Sequence, residues 1–170
     1  MKHSGDPPGV LMLHAACFML HSTNMNCLFC KIIAKQIPVD IIYEDEKVVA
    51  FLDINPVNPG HLLVVPKVHS ENIAVAADED LIALTLAVKK LAPAICAATA
   101  CDGWNLEVNN GNAAGQVIDH THWHIVPRHK DDGLKHWPGH PYAEGEAAKI
   151  ADKIRKEFLN VKDQTLIVNI

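Results

Sequence analysis

Short apolar runs separated by turn-forming residues constrain the fold of this chain more than any other feature. Gly, Pro, Asn and Asp punctuate the sequence from Cys27 onward, which is typical of loops between brief strands. The runs rich in β-favouring residues are 41–44, 47–53, 61–66, 104–108 and 118–127, and each predicts a strand. Because the strands come in neighbouring pairs and do not alternate strictly with helices, the pattern predicts an α+β fold with an antiparallel sheet. Residues 61–66 are apolar without alternation, which predicts that both faces of that strand are covered.

Two segments carry helical periodicity. The acidic residues at 78–80 give the first segment a start that suits the helix dipole, and apolar residues follow at helical spacing from Leu81 to Ile95. We expect Pro93 to kink the last turns of this longest helix or to end them early, because proline removes a donor and clashes with the carbonyl four residues back. Residues 144–159 form an amphipathic C-terminal helix in this interpretation, and 27–35 predict a short helical turn or loop.

The charge balance limits the class of partner. The chain has 170 residues, 15 Lys plus Arg and 20 Asp plus Glu, for a net charge of −5. This composition offers no broad basic surface for a nucleic-acid polymer. A local group of donors can still hold a small phosphorylated ligand against the net field. The length predicts a single domain, which we place at 25–170.

The cysteines and the N-terminal residues predict where the protein acts. Five cysteines, an odd number with one close pair, argue against a secreted disulfide framework, so we expect a reducing, cytoplasmic location. Residues 1–24 are interpreted as a poorly ordered extension, with a targeting segment as the alternative. No run approaches the roughly 20 apolar residues that span a bilayer, and no membrane partner is expected.

Three histidines, His120, His122 and His124, recur at every second position. Along a strand such residues share one face. One interpretation is a half-exposed strand with polar outward positions. A second is a metal centre, but the outer two residues of such a row stand roughly 13 Å apart at Cα, so one ion cannot bind all three.

A second group of potential ligands suggests a division of roles. Cys27-Leu-Phe-Cys30 has the spacing of a zinc clip, and His69 and His120 could complete a structural Cys₂His₂ zinc site. A redox dithiol and two ordinary half-buried cysteines are the alternatives. If His120 binds zinc, His122 and His124 are left on one face, where one neutral imidazole could attack phosphorus and the other could donate to phosphate oxygens.

The loop 109–116 adds to this catalytic interpretation. Gly111 and Gly115 allow backbone donors to approach an anion, and Asn or Gln amides can add further donors. The segment is not a Walker loop, because it lacks the Gly-Lys-Ser/Thr sequence and a strand follows it. A plain hairpin loop is the alternative interpretation.

These motifs together resemble the histidine triad (HIT) family, whose mark is His-x-His-x-His followed by two apolar residues, here 120–126. Residues 27–33, 51–67 and 108–111 also resemble family segments in family order. The resemblance covers 27–128 and extends more loosely to the terminal helix. The CxxC pair and the C-terminal helix are similar to the Hint-type and microbial, zinc-containing branch.

The resemblance implies a nucleotide hydrolase or transferase with a five-stranded antiparallel sheet, forming a homodimer whose sheet has ten strands. It implies that His122 takes up the AMP moiety, that His124 contacts the α-phosphate and that His61 supports the nucleophile. The nucleotide-binding residues it implies are Phe29, Phe51 and Ile54 around a purine base, Asp53 on the ribose, and Asn109, Gly115 and Gln116 on the phosphate. It also implies zinc binding by Cys27, Cys30, His69 and His120.

One departure from the family pattern concerns the leaving group. Hint-type proteins have a serine after the loop glutamine that helps to protonate the leaving group, whereas this chain has Val117. The predicted activity is hydrolysis of AMP conjugates such as adenosine phosphoramidates or adenylates through a nucleotidyl-His122 intermediate. Cleavage of dinucleoside polyphosphates by the same nucleophile is one alternative. A zinc-containing dimer that binds nucleotides or proteins without catalysis is the other.

Overall fold

The structure, a computed structural model, describes residues 26–135 and 137–167, with side chains as far as residue 161. The predicted N-terminal extension, 1–24, lies outside the described residues. The chain divides into two compact units, one ending at Asp132 and one beginning at Gly133. The sheet and all predicted site residues belong to the first unit.

The first unit is α+β with one five-stranded antiparallel sheet, as the sequence predicts. Its elements in chain order are α1 Leu28–Ile33, β1 Ile41–Glu44, β2 Val48–Leu52, β3 Leu62–Pro66, α2 Asp78–Thr99, β4 Gly103–Glu107 and β5 Trp123–Arg128. The strand order is β1-β2-β3-β5-β4, so β1 and β4 are the two edges. Every neighbouring pair is antiparallel.

Strand β3 lies between two apolar layers, one on each face of the sheet. All five of its residues are buried, which confirms the prediction that both of its faces are covered. Leu62 and Val64 pack with α2 on one face. Leu63 and Val65 pack with the Cys27-to-Ile32 segment on the other. The second layer holds α1 against the sheet face that also carries the functional histidines.

Helix α2 runs through Pro93 without ending, so the expected early end is wrong. Pro93 is exposed, which places the missing backbone bond on the solvent side of the helix. The helix stops at Ala100, whose φ of 51° is left-handed. Cys96 and Cys101 form a disulfide across this end, a pairing that the sequence analysis did not predict.

Helix α2 also corrects the expectation about membrane-length segments. By length and composition alone, its 22 residues are apolar enough to cross a bilayer. In the structure its apolar side packs on the sheet through residues such as Leu84, Val88 and Leu91. A helix that covers the core of a domain meets the same length and composition criteria.

Strand β5 begins at Trp123, five residues later than the predicted 118. The residues before it use their backbone groups elsewhere. The amide of His120 donates to the carbonyl of Ile118 at 2.8 Å, and the amide of Thr121 donates to the carbonyl of Ser70 at 2.6 Å. His120 and His122 therefore lie on a bent approach to the strand, and only His124 lies within it.

The second unit contains α3, Glu146–Ile167. The sequence predicts a helix over 144–159, so the helix starts two residues later and extends further. Its start is capped reciprocally, because the Glu146 carboxylate accepts from the Ala143 amide at 2.9 Å and the Glu146 amide donates to the Ala143 carbonyl at 3.0 Å.

Candidate active site and metal centre

His61 is the last residue of a tight turn and directly precedes β3. The amide of His61 donates to the carbonyl of Asn58 at 3.0 Å, and Asn58-Pro-Gly-His61 has the residue pattern of a type II turn. Gly60 has a φ of 89°, and a Cβ on it would lie 2.6 Å from Cγ2 of Thr99. Only glycine satisfies both the conformation and the close approach to α2.

His122 is held in one tautomer by its own backbone segment. Its Nδ1 lies 2.6 Å from the carbonyl oxygen of His120, and a carbonyl only accepts, so Nδ1 carries the proton. The lone pair of His122 is therefore on Nε2. This is the tautomer that a nucleophilic imidazole requires.

His61 and His124 form a second ordered pair. The Val57 amide donates to Nδ1 of His61 at 3.2 Å, so the proton of that ring is on Nε2. His61 Nε2 then donates to Nδ1 of His124 at 2.9 Å, which places the His124 proton on its own Nε2. The ring of His61 therefore contacts His124, whose ring centroid lies 4.9 Å from that of His122.

Burial keeps these imidazoles neutral. It lowers the pKa of His124 to about 4, and the neighbouring His122 and His61 add to the effect. Burial likewise lowers the pKa of His122 and of His61, against the opposing influence of Asp53. At neutral pH the rings of His61, His122 and His124 are therefore uncharged. Nε2 of His122 offers a lone pair, and Nε2 of His124 offers an N–H donor.

A pocket of about 330 Å³ opens beside His122 and His124. Five predicted nucleotide-binding residues line it with these histidines: Phe29, Phe51, Asp53, Ile54 and Gly115. Its wall is mainly apolar, with the Asp53 carboxylate as its anionic group. Such a wall suits a flat base, and the carboxylate suits hydroxyl donors.

The predicted residues Asn109 and Gln116 do not belong to the lining of this pocket. The Gln116 side chain is buried, accepts from the Gly111 amide at 2.7 Å and donates to the Glu71 carbonyl at 2.6 Å. The amides of residues 114 to 116 also bond within the loop. Gln116 therefore orders the loop, and the direct phosphate contact expected for its side-chain amide is not available in this arrangement.

Sequence reasoning missed several wall residues. They are Leu28, Ile32, Val39, Asn55, Leu63 and Ile118. Ile32 is one helical turn from the predicted Phe29, and Leu63 is two positions after the predicted His61, on the same face of an extended chain. Those two spacings could have identified Ile32 and Leu63, and no comparable spacing indicates the other four.

The candidate metal centre consists of Cys27, Cys30, His69 and His120, whose side chains converge. Their ligand atoms lie within 4.8 Å of one another. The separations are 3.3 Å between Nδ1 of His69 and of His120, and 3.4 to 3.6 Å for the sulfur–nitrogen pairs. Zn–N bonds of about 2.05 Å and Zn–S bonds of about 2.3 Å at tetrahedral angles require about 3.3 Å and about 3.6 Å. The four residues therefore fit a tetrahedral ion.

The tautomer of His120 fits the same role. Its Nε2 lies 2.9 Å from the Pro66 carbonyl, so Nε2 carries the proton and the lone pair of Nδ1 points at the cysteines. A backbone carbonyl that orients a ligating imidazole in this way is usual at metal sites. Four ligands from protein side chains and no open position describe a structural centre.

Asp53, His61 and His124 also lie within range of a common ion, but His61 and His124 are hydrogen-bonded to each other, and the Asp53 carboxylate lies 3.7 Å from Nδ1 of His61. The His61 to His124 nitrogen separation of 2.9 Å is shorter than the roughly 3.3 Å edge of a tetrahedral zinc site. The Val57 amide also holds the His61 proton on the nitrogen that would have to bind the metal.

The sheet, the histidine row and the CxxC site define a known class of protein. The model of the HIT domain family matches residues 34–131, more than half of the chain. The chain therefore belongs to the HIT family. This confirms the family resemblance inferred from the sequence motifs.

The relatives of this chain include proteins with named activities. The adenylylsulfatase HINT3 of Arabidopsis thaliana is 36% identical over 84% of this chain and 74% of that protein. The adenosine 5′-monophosphoramidase hnt1 of Schizosaccharomyces pombe is 36% identical over 79% of this chain and 99% of that protein.

Solved structures of HIT proteins resemble the fold. A HIT family member from Bacillus subtilis has a TM-score of 0.70 at 44% identity, covering 77% of this chain and 96% of that one. A Zn-bound histidine triad family protein from Mycobacterium smegmatis has a TM-score of 0.63 at 35% identity, covering 72% and 88%.

Proposed function

We propose that this protein is a nucleotide hydrolase or transferase that releases AMP from a small leaving group through a nucleotidyl-His122 intermediate. The observation that carries this proposal is the bond from His122 Nδ1 to the His120 carbonyl. It leaves the Nε2 lone pair of a neutral ring beside a pocket with an apolar wall. The relatives named as adenylylsulfatase and adenosine 5′-monophosphoramidase support the substrate class.

The reaction has two displacements. His122 Nε2 attacks the α-phosphorus, forming an N–P bond as the bond to the leaving group breaks. Water then attacks the same phosphorus and loses a proton to solvent as the N–P bond breaks, so that AMP departs and the neutral imidazole is restored. His124 supports both steps, because its buried Nε2 has no hydrogen-bond partner in the described part of the chain. That N–H is available to the phosphate oxygens.

The residues of the pocket wall support a purine nucleoside as the bound group. Phe29 and Phe51, whose ring centroids are 5.7 Å apart, hold the purine with Ile54, and Asp53 accepts from the ribose hydroxyls. Gly115 adjoins the phosphate. A small nucleotide is the partner in this proposal, and no nucleic-acid polymer or membrane is required.

We assign the four-residue centre to structural Zn²⁺. A bound ion would link Cys27 and Cys30, at the α1 segment, to His69 and His120. His120 precedes the proposed nucleophile His122 by two residues. The cysteines must be thiolates to bind it, and neither Cys27 nor Cys30 forms a disulfide.

We also propose a homodimer joined through β4. This strand is an edge of the sheet, and Trp104 and Leu106 on it are exposed. An exposed apolar edge strand invites pairing with another strand. Two copies joined there would form a continuous ten-stranded sheet.

Steady-state turnover of an adenosine phosphoramidate, an adenylate and a dinucleoside polyphosphate tests the proposal, with His122→Ala as the comparison. We expect the substitution to lower turnover at least about 1,000-fold. Mass spectrometry of the quenched wild type should show an adduct of one nucleotidyl group that the variant lacks. Equal, slow rates for both proteins on all three substrates would favour the non-catalytic dimer.

A further inference from the structure

The turn that carries His61 is fastened to the far end of β5 by Asn58. The side-chain Nδ2 of Asn58 donates to the Pro127 carbonyl at 2.8 Å and to Oδ2 of Asp132 at 3.1 Å. The Asn58 carbonyl accepts from the His61 amide within the turn. One side chain therefore ties the turn to a strand more than 60 residues away in sequence.

Asp132 is itself held firmly. Its carboxylate accepts from Nε of Arg128 at 2.7 Å and from a terminal guanidinium nitrogen at 3.1 Å, a bidentate pair. It also accepts from the His129 amide at 3.1 Å. The Asp132 side chain is 5% exposed. A partly buried, bidentate and charge-assisted contact gives a more rigid anchor than an ion pair between two fully exposed side chains.

Asn58 is connected to His61 and His124 through its neighbour Val57. Asn58 follows Val57, whose amide fixes Nδ1 of His61 as an acceptor. His61 then donates to His124. His124 is left with its proton on the nitrogen that the proposed function directs to phosphate.

We propose that Asn58 and Asp132 are positioning residues that keep His61, and through it His124, in the tautomers required for phosphate binding and transfer. Neither residue touches the pocket. Their effect on turnover rests on the proposed function, whereas their effect on the His61 tautomer does not. A merely structural role would change stability and leave the tautomer as it is.

The test uses the full-length, metal-loaded protein with Asn58→Ala, Asp132→Asn and Asp102→Asn. The last variant is the matched control, because the Asp102 side chain also bonds a residue beyond β5, accepting from the Lys130 amide at 3.0 Å. Among the described residues it has no hydrogen bond to Asn58, Asp132 or the His61 turn, and its backbone bond to Arg128 is unchanged by the substitution. Nitrogen-15 NMR of the histidine rings reports the tautomers without substrate. Steady-state kinetics then separate kcat from KM.

We expect Asn58→Ala to convert His61 from a single tautomer to a mixture and to lower kcat about 10- to 100-fold, the range typical of partners that orient an imidazole. KM should change less than about threefold, since the pocket wall is intact. Asp132→Asn should act in the same direction, and it decides the question if Asn58→Ala does not fold. Asp102→Asn should match the wild type.

A folded Asn58→Ala or Asp132→Asn protein with wild-type ring signals would overturn the inference. A changed tautomer with unchanged kcat would overturn its catalytic part. If wild type turns over no nucleotide while its rings show the assigned tautomers, the proposed function fails and the structural link from Asn58 to His61 stands.

Discussion

The ring of His122 donates a hydrogen bond to the backbone carbonyl of His120, whose own ring points at Cys27 and Cys30. The proposed nucleophile and a proposed metal ligand are therefore joined through a single short segment of backbone. Folding of the metal centre and orientation of the nucleophile are linked by that bond.

Removal of one thiolate should remove the metal and weaken the fold. We expect about one zinc per wild-type chain, and Cys30→Ser should lose it and lower the free energy of unfolding by more than about 2 kcal/mol. Metal analysis and urea unfolding measure both effects. A chelator should destabilise the wild type and leave the variant unchanged. A metal-free wild type of full stability would contradict the assignment.

The neutral His124 should make stability depend on pH in a defined direction. Its pKa is about 4 in the folded protein against an ordinary value of 6.5, so between these values the unfolded chain binds the extra proton. Stability from this group is present above pH 6.5 and is lost as the pH falls towards 4, at up to about 1.4 kcal/mol per pH unit. Urea unfolding at several pH values should give a flatter profile for His124→Gln. Identical profiles would show that the ring is not held neutral.

Gly60→Ala should destabilise the His61 turn by about 2 to 4 kcal/mol, because a positive φ and a contact with Thr99 act together. Gly111→Ala is the matched control, since its φ is also positive, 83°, but nothing lies within 4 Å of its added Cβ. It should lose only about 1 kcal/mol. Thr99→Ser removes the Cγ2 atom and should recover part of the Gly60→Ala loss. Equal losses for both glycines would show that the close approach is unimportant.

Val117 lines the pocket and is 85% exposed. Its side chain is a hydrocarbon, so it supplies no proton to a leaving group. We expect Val117→Ser to raise kcat/KM for an adenosine phosphoramidate about tenfold, because an amine must leave protonated. Turnover of an adenylate, whose leaving group is a stable anion, should stay the same. Val75→Ser, also exposed but outside this lining, is the control. A gain on both substrates would indicate some other effect.

The two edges of the sheet should respond differently to charge. Leu106→Lys on β4 should convert the proposed dimer to monomer, because it places an unpaired charge at the interface. Ile42→Lys on β1, the opposite edge, should leave the dimer intact. Both residues are exposed in the chain, at 41% and 53%. Light scattering after size-exclusion chromatography distinguishes the two species, and a monomeric wild type would remove this part of the proposal.

Local patterns predicted most of the fold. The uninterrupted apolar run 61–66 gives a strand covered on both faces, and the spacing of Cys27 and Cys30 indicates a site whose four residues do meet. These features follow from the period of a strand and from the donor chemistry of side chains, which are properties of neighbouring residues.

Two of the errors came from contacts between distant residues, and a third concerned the exposure of one proline. Ser70 takes the backbone bond of Thr121 and so delays the start of β5. The Glu71 carbonyl accepts from the buried side chain of Gln116, which the family pattern assigns to phosphate. Pro93 was expected to disturb α2, but its exposed position leaves the helix continuous. No spacing rule along the chain identifies Ser70 or Glu71 as a hydrogen-bond partner of these residues.

The absence of a cationic ring in the described pocket lining has a consequence for solution conditions. An anionic ligand would be held there by oriented N–H dipoles and by contact with the apolar wall. Dissolved ions screen attraction between separated exposed charges strongly and act much less on buried, short-range contacts. Affinity at this site should therefore change little with ionic strength.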